Sequence, residues 1–388
     1  MNIKLKTSEL KNALNKAVRG MGNNKFIPKT SLLGINVEKN TLKIISTDEV
    51  NTIQVNLKLE NEAEKDMSFA VLGSTFSKLI EKTNSENIEL IIEDNSLTVK
   101  GNGKYTFDIP ADEDGNLITF ENITVNNDGI EVNTEDFKQS YENTKQALND
   151  KDNIETHNGI YFDNDGAIGT DGLKISKYKK SCVNNPLFLN SRFVSFISLF
   201  ETPKIKVFSK SDETNDNNDT NDNNDDDNEN DDINDIVIYN DNLIIKGKQI
   251  IDYNDEVNFP IEVIKKLVSG EMPYKIKIQK NVLKEIIDRM SIFSTLDKTI
   301  LYFDFKENGI LLSSLDSQKQ ELAEYMEKPA FGEFKLKLDI QLFKPILDSI
   351  QSPDINICYG VDDKNKVGSS FIKIETDTVN HIIALVED

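Results

Sequence analysis

An internal repeat constrains this chain more than any other feature. A short alternating strand, Ile3-Lys4-Leu5-Lys6, runs into a helical pattern. In it Leu10, Leu14, Ala17 and Val18 share one face, while Lys11, Lys16 and Arg19 lie off that face. Strands at 32–37 and 42–46 follow, joined by Glu38-Lys39-Asn40; then come a second helix at 74–82 and strands at 88–93, 96–100 and 105–109. The order returns with a strand at 129–132, a helix at 134–148, a hairpin turning at 163–166 and a second helix at 190–200. It returns again with a strand at 274–278, a helix at 280–290, a hairpin turning at 306–309 and a second helix at 339–350 that contains Pro345. First helices begin near residues 8, 134 and 280. Self-similarity at that spacing predicts one α+β unit built three times, with boundaries at 1–125, 126–270 and 271–388. The plain alternative is three unrelated α+β domains.

The last interval is the longer one because of an insertion. Residues 211–235 hold 12 Asp or Glu and 9 Asn, with no Lys or Arg. Such a run has little to bury and strong self-repulsion, so a disordered acidic loop is expected there. Asp222-x-Asn224-x-Asp226 mimics the start of a calcium loop, but the segment has no glycine for the turn that loop requires. The insertion also explains much of the net charge of −22, since without it the chain carries −10.

Several classes of function fall away. Cys182, Cys358, His157 and His381 are the only cysteines and histidines, too few for a disulfide framework or a zinc set. No metal and no cofactor are expected. Gly101-Asn102-Gly103-Lys104 is too short for a phosphate-binding loop, and no Gly-x-Ser-x-Gly or His-Glu-x-x-His occurs, so no catalytic residue is assigned and the chain reads as a non-enzyme. A carboxylate enzyme would show a deep pocket with perturbed carboxylates. No run approaches 18 apolar residues and the first residues lack a signal-peptide core, so a cytoplasmic protein without membrane contact is expected.

Local sequence then carries a resemblance. Ser46-Thr47-Asp48 matches Gly169-Thr170-Asp171 in the second unit, and the latter continues as Gly172-Leu173-Lys174-Ile175. With the opening strand and leucine-spaced helix of 1–18 and the segment Arg289-Met290-Ser291-Ile292, these motifs resemble the β sliding clamp, the processivity factor of bacterial DNA polymerase III. The likeness covers the chain end to end apart from the acidic insertion. It implies three clamp domains per chain, helices inside and antiparallel sheets outside, in a head-to-tail homodimeric ring around duplex DNA. It also implies docking of the polymerase III alpha subunit, the clamp loader and repair proteins through short peptides. A clamp-like scaffold that has lost loading or partner binding is the alternative.

The resemblance assigns three sets of residues. DNA-facing cations would be Lys11, Lys16, Arg19, Lys25, Lys78, Lys82, Lys138, Lys145, Arg192, Lys280, Lys284, Arg289 and Lys344; singly, each is also an ordinary solvated helix residue. Arg19, Arg192 and Arg289 are the only arginines, and lysine's mobile point charge suits sequence-independent contact. The partner-peptide pocket would comprise His157, Thr170, Gly172, Leu173, Lys174, Ile175, Val257, Asn258, Ile382 and Ala384. Here Leu173-Lys174 replaces the family's His-Arg pair, and the C-terminus lacks its Met-Pro ending. The dimer interface would bring Tyr105 and Phe107, on an edge strand at 103–109, against Ile292 and Phe293, on a strand at 291–295. The plain alternative places these aromatics in their own cores.

Overall fold

A computed structural model describes the chain except for residues 25, 94, 126–128, 152, 203, 210–234, 251–258, 293–299, 316–320, 328–333, 361–369 and 387–388. The first repeat is β1 (Asn2–Lys6), α1 (Thr7–Ala17), β2 (Leu32–Glu38), β3 (Thr41–Thr47), β4 (Thr52–Lys58), β5 (Met67–Leu72), α2 (Gly73–Lys82), β6 (Asn87–Glu93), β7 (Ser96–Lys100) and β8 (Lys104–Asp108). The second is β9 (Ile130–Asn133), α3 (Thr134–Thr144), β10 (Gly159–Asp163), β11 (Gly166–Thr170), β12 (Lys174–Tyr178), β13 (Leu187–Asn190), α4 (Ser191–Ser195), β14 (Lys204–Ser209), β15 (Asp235–Tyr239) and β16 (Leu243–Lys248). An additional helix, α5 (Ile261–Ser269), follows it. The third is β17 (Tyr274–Gln279), α6 (Lys280–Ser291), β18 (Ile300–Lys306), β19 (Gly309–Leu315), β20 (Glu321–Glu327), β21 (Phe334–Asp339), α7 (Ile340–Ser349), β22 (Asp354–Tyr359), β23 (Phe371–Glu375) and β24 (Val379–Ala384).

Each repeat therefore spells one sequence of elements, and each splits into two four-stranded halves. The first strand pairs with the last three, as in β1-β6-β7-β8, and the middle four form the other half, as in β20-β19-β18-β21. Halves of successive repeats fuse. The order β5-β2-β3-β4-β16-β15-β14-β9 joins the first repeat to the second, and β13-β10-β11-β12-β24-β23-β22-β17 joins the second to the third. All pairings are antiparallel. Compact packing follows the fusions, giving one unit of 1–134 with 196–249 and another of 135–195 with 250–388.

Helix spacing explains the cores. In α1 the buried residues include Leu10, Ala13, Leu14 and Ala17, and in α6 Leu283, Ile286, Ile287 and Met290 hold the corresponding positions. That i, i+3, i+4, i+7 stripe presses one face onto sheet and leaves the lysines on the other. In the third repeat Phe305 stacks on Tyr359 with centroids 4.0 Å apart, and Phe303 meets Phe343 edge-on at 5.8 Å.

Three expectations change. The helix expected at 190–200 is only the short α4 followed by a tighter turn at Phe196–Leu199. Ser195 Oγ donates to the Arg192 carbonyl, one of the local serine bonds that compete with a longer helix. The expected acidic loop at 211–234 lies outside the described residues, but Asp235 is buried, begins β15 and pairs with Lys246 at 2.5 Å. The insertion thus stands between β14 and β15, antiparallel neighbours in one sheet. The edge strand expected at 291–295 is not a strand where it is described: Ser291 ends α6 and Ile292 caps it, because the apolar stripe runs on through Met290. Phe293 lies outside the described residues.

Candidate functional site

The turn between β11 and β12 is held by its own side chains. Thr170 Oγ1 donates to the Lys174 carbonyl at 2.7 Å and accepts from Gly172 N at 3.1 Å. Asp171 Oδ1 accepts from Leu173 N at 3.0 Å and Lys174 N at 2.8 Å, and Asp171 Oδ2 lies 3.1 Å from Lys174 Nζ. Gly172 sits at φ +82°, the left-handed region that favours glycine. Thr170 and Lys174 are buried in this scaffold, and the turn pushes Leu173 outward to 55% exposure. His157 lies beside it, since a Cβ on Gly172 would come within 3.6 Å of the imidazole.

Beyond the turn, Ile175 pairs across the β12–β24 ladder with Ile382, and the Ala384 N–H donates to the Leu173 carbonyl at 2.9 Å. Six of the expected pocket residues on the turn and β24 therefore share one corner: Gly172, Leu173, Lys174, Ile175, Ile382 and Ala384. Ile175 and Ile382 form its floor, packed in one cluster with Phe259, Ile264 and Phe371. Val257 and Asn258 lie outside the described residues.

Sequence reasoning missed α5, whose Ile261, Ile264 and Val268 turn inward while Val263 is half exposed. Their i, i+3, i+7 spacing was the available signal. It also missed a concavity of about 660 Å³ lined by Tyr302, Leu311, Lys337, Leu385 and Val386, which continues along the chain from Ala384. Backbone bonds from Leu385 N to the Ser370 carbonyl and from Val386 N to the Lys337 carbonyl anchor this segment.

The seam below the corner holds a buried imidazole. His381 Nδ1 and Ser176 Oγ are 2.7 Å apart, and full burial pushes the imidazole down to about 3. On the same sheet Glu375 lies near 2: burial would raise it, but hydrogen bonds from Lys275 and Lys373 outweigh that effect.

The expected nucleic-acid cations divide by partner. Lys16 bridges to Glu201 at 3.0 Å, Lys82 approaches Glu81 at 3.9 Å and Lys145 meets Glu142 at 2.5 Å. Lys344 bridges to Asp288 at 2.7 Å, Lys284 pairs with Asp348 and Asp288, and Lys280 Nζ donates to the Ile350 carbonyl at 2.6 Å. Arg289 grips Glu324 through two bonds of 2.7 and 2.6 Å, and those bonds hold the Glu324 carboxyl below the usual range. Lys11, Lys78 and Arg19 form no ion pair among the described residues; Lys138 is half-buried and Arg192 exposed. Lys25 is not among the described residues. Lys145 and Lys344 border a cavity of about 790 Å³ whose walls also carry the amides of Gln139, Asn143, Gln146 and Gln341.

At the expected interface Tyr105 is 44% exposed on β8 and Ile292 is 77% exposed at the end of α6. Phe107 packs edge-on against Phe76 at 6.1 Å, so it also serves its own core. Among the described residues no group of three or more His, Cys, Asp or Glu is placed to hold a metal, and no helix is long and apolar enough to cross a membrane.

Comparison with known proteins follows this geometry. Residues 1–116 match the family model described as the DNA polymerase III beta subunit, N-terminal domain. Among solved structures, the DNA polymerase III beta subunit of Thermotoga maritima superposes with a TM-score of 0.80 at 15% identity, covering 100% of this chain and 99% of that one. The subunit beta of Pseudomonas aeruginosa gives 0.81 at 12% identity, and the beta chain of Streptococcus pneumoniae 0.79 at 14%, each covering 100% of both chains. No curated protein sequence matches significantly. The chain has the α+β fold of these subunits along its whole length.

Proposed function

We propose that this chain is a sliding clamp, a non-enzymatic processivity factor that encircles duplex DNA and tethers a polymerase to it. The observation that carries the reading is the sheet order. The fourth strand of repeat one, β4, pairs with the last strand of repeat two, β16, and β12 pairs in the same way with β24. Two members of that rule are left over within one chain: β8 and β20 are sheet edges. Pairing β8 of one copy with β20 of another continues the rule, and two copies joined in this way close on themselves with neither β8 nor β20 left unpaired. Tyr105 and Ile292 are the exposed apolar residues that this joint would cover, and 1–125, 126–270 and 271–388 are its three domains.

The remaining features fit a topological link better than a tight one. Six of the thirteen expected cations, Lys16, Lys82, Lys145, Lys284, Arg289 and Lys344, are already matched by carboxylates, which limits how many phosphates the protein neutralises. Weak, sequence-independent contact lets a closed assembly move along DNA. Partners such as the polymerase III alpha subunit, the clamp loader and repair proteins would dock an apolar anchor over Ile175 and Ile382, with Leu173 and Val263 at the rim.

Retention on DNA after loading tests the reading. Circular DNA should keep the protein through a wash at a salt concentration at which the dimer itself persists, and linear DNA with free ends should lose it. Equal loss from both would overturn encirclement.

A further inference from the structure

At the joints within the chain, the fused strands are backed by apolar side chains. In β3 and β4 Ile44 stands opposite Val55, which is 4% exposed. Counted from the shared Thr-Asp turn, where Thr47 faces Thr52 and Thr170 faces Ile175, the residue of β12 in the place of Val55 is Tyr178, also buried. In the third repeat β19 has the same length as β3, and its fourth residue, Leu312, stands opposite Glu324. A carboxylate therefore occupies the place of Val55 on β20, the strand left without a partner. It is met from the helix below by Arg289, the residue of α6 that corresponds to Lys16 of α1.

We propose that Arg289 and Glu324 form a positioning clasp, which sets the free strand β20 for pairing with β8 of a second copy and makes that joint the salt-sensitive one. The proposal rests on the head-to-tail pairing proposed above. The physical basis is the strand's support. β20 is hydrogen-bonded only to β19 in its sheet, so the position of its outer row of N–H and C=O groups depends on what lies beneath it. A bidentate guanidinium–carboxylate pair fixes that position through both distance and plane. With Arg289 51% and Glu324 24% exposed at their side chains, salt can screen it. Val55 and Tyr178 offer salt nothing to screen, so the two joints within the chain stay closed under conditions that loosen the one between chains. Arg289 is thereby drawn from the DNA-facing set into the machinery of association.

The test is sedimentation velocity of the full chain across a dilution series at several sodium chloride concentrations. Thermal melting of each variant confirms that it is folded. Arg289→Ala and Glu324→Ala should each weaken the dimer up to about fivefold at low salt and flatten its salt dependence. The reversed pair, R289E with E324R, should restore both. Replacing the pair by apolar residues, Arg289→Leu with Glu324→Val, should give a dimer whose dissociation no longer varies with salt. A wild-type protein that dimerises, with variants that share its affinity and salt slope, would overturn the clasp alone. A wild-type protein that stays monomeric throughout would overturn the pairing of β8 with β20 as well.

Discussion

At the β4–β16 joint Ile53 stands opposite Ile245, and at the corresponding place in the β12–β24 joint Ser176 stands opposite His381. One residue nearer the turn, Thr52 opposite Lys246 is matched by Ile175 opposite Ile382. The turns themselves are nearly superimposable in their bonding. Thr47 Oγ1 donates to the Asn51 carbonyl at 3.0 Å and Asp48 Oδ1 accepts from Val50 N at 3.1 Å and Asn51 N at 2.6 Å, as Thr170 and Asp171 do for their own turn. The first joint is thus apolar inside and polar at its rim, and the second is the reverse. One backbone supports both, so the docking proposed for the second joint would depend on a few side chains and on α5, which has no counterpart among the described residues of the first repeat.

The linkers that follow the two joints make the same point. Phe120 packs over Gly34, where an added Cβ would come within 2.6 Å of its ring. Phe259 packs over Tyr161, the register equivalent of Gly34, and over Phe188 at a centroid distance of 4.5 Å. Each sheet is sealed by one linker phenylalanine, and the bulk removed from the strand in one unit is present in the other.

The largest effect that would sharpen this comparison is loss of a seal. Phe120→Ala should destabilise the unit of 1–134 with 196–249 by about 3–5 kcal/mol, through lost burial and the cavity left behind. Chemical denaturation with amide exchange resolved by segment would show β2 and β3 opening first, while β10 and β11 keep their protection. Equal loss of protection in both units would break the claim that the seals are independent.

Acid should separate the two joints next. An imidazole whose ordinary value is 6.5 lies near 3 when folded, so the unfolded chain binds the proton more readily. The contribution of His381 is complete above about pH 6.5 and is lost at up to about 1.4 kcal/mol per pH unit on descent towards 3. Amide exchange at pH 4.5 should rise in β12 and β24 and stay unchanged in β4 and β16. Copying the first joint through Ser176→Ile with His381→Ile should remove the difference.

Copying its rim should remove docking. Ile175→Thr with Ile382→Lys should weaken binding of a short peptide with leucine and phenylalanine anchors by about tenfold or more. Calorimetry provides the measurement, and sedimentation should show an unchanged dimer. The smallest effect concerns the turn. Glu49 has the same φ of +82° as Gly172 but carries a side chain, so Glu49→Gly should stabilise its unit by up to about 1 kcal/mol, seen as a small rise in melting temperature.

Much of this was legible in the residues. The stripe Leu10, Leu14 and Ala17 reports α1 because a buried helical face recurs every 3.6 residues, and the Thr-Asp pairs report turns because their side chains close the backbone locally. α5 went unread although Ile261, Ile264 and Val268 carry the same periodicity. Leu385 and Val386 went unread because the concavity they line is made by strands far apart in sequence. The strand expected at 291–295 came from the resemblance, yet Ser291 ends α6 and Ile292 caps it, because Leu283, Ile286, Ile287 and Met290 carry a helical stripe up to that point.

By itself the sequence determined the threefold repeat, the alternation of helix and sheet, the place of the acidic insertion and the Thr-Asp turns. These depend on local periodicity and turn chemistry, which neighbouring residues carry. Only the tertiary structure decided which half-sheets fuse, that β8 and β20 remain as edges, and that Arg289, Lys16, Lys82, Lys145, Lys284 and Lys344 face carboxylates. Those outcomes depend on strand register and on charges brought together from distant segments. Thus Arg289, read as a cation free for phosphate, is bound to Glu324 on β20, 35 residues along the chain.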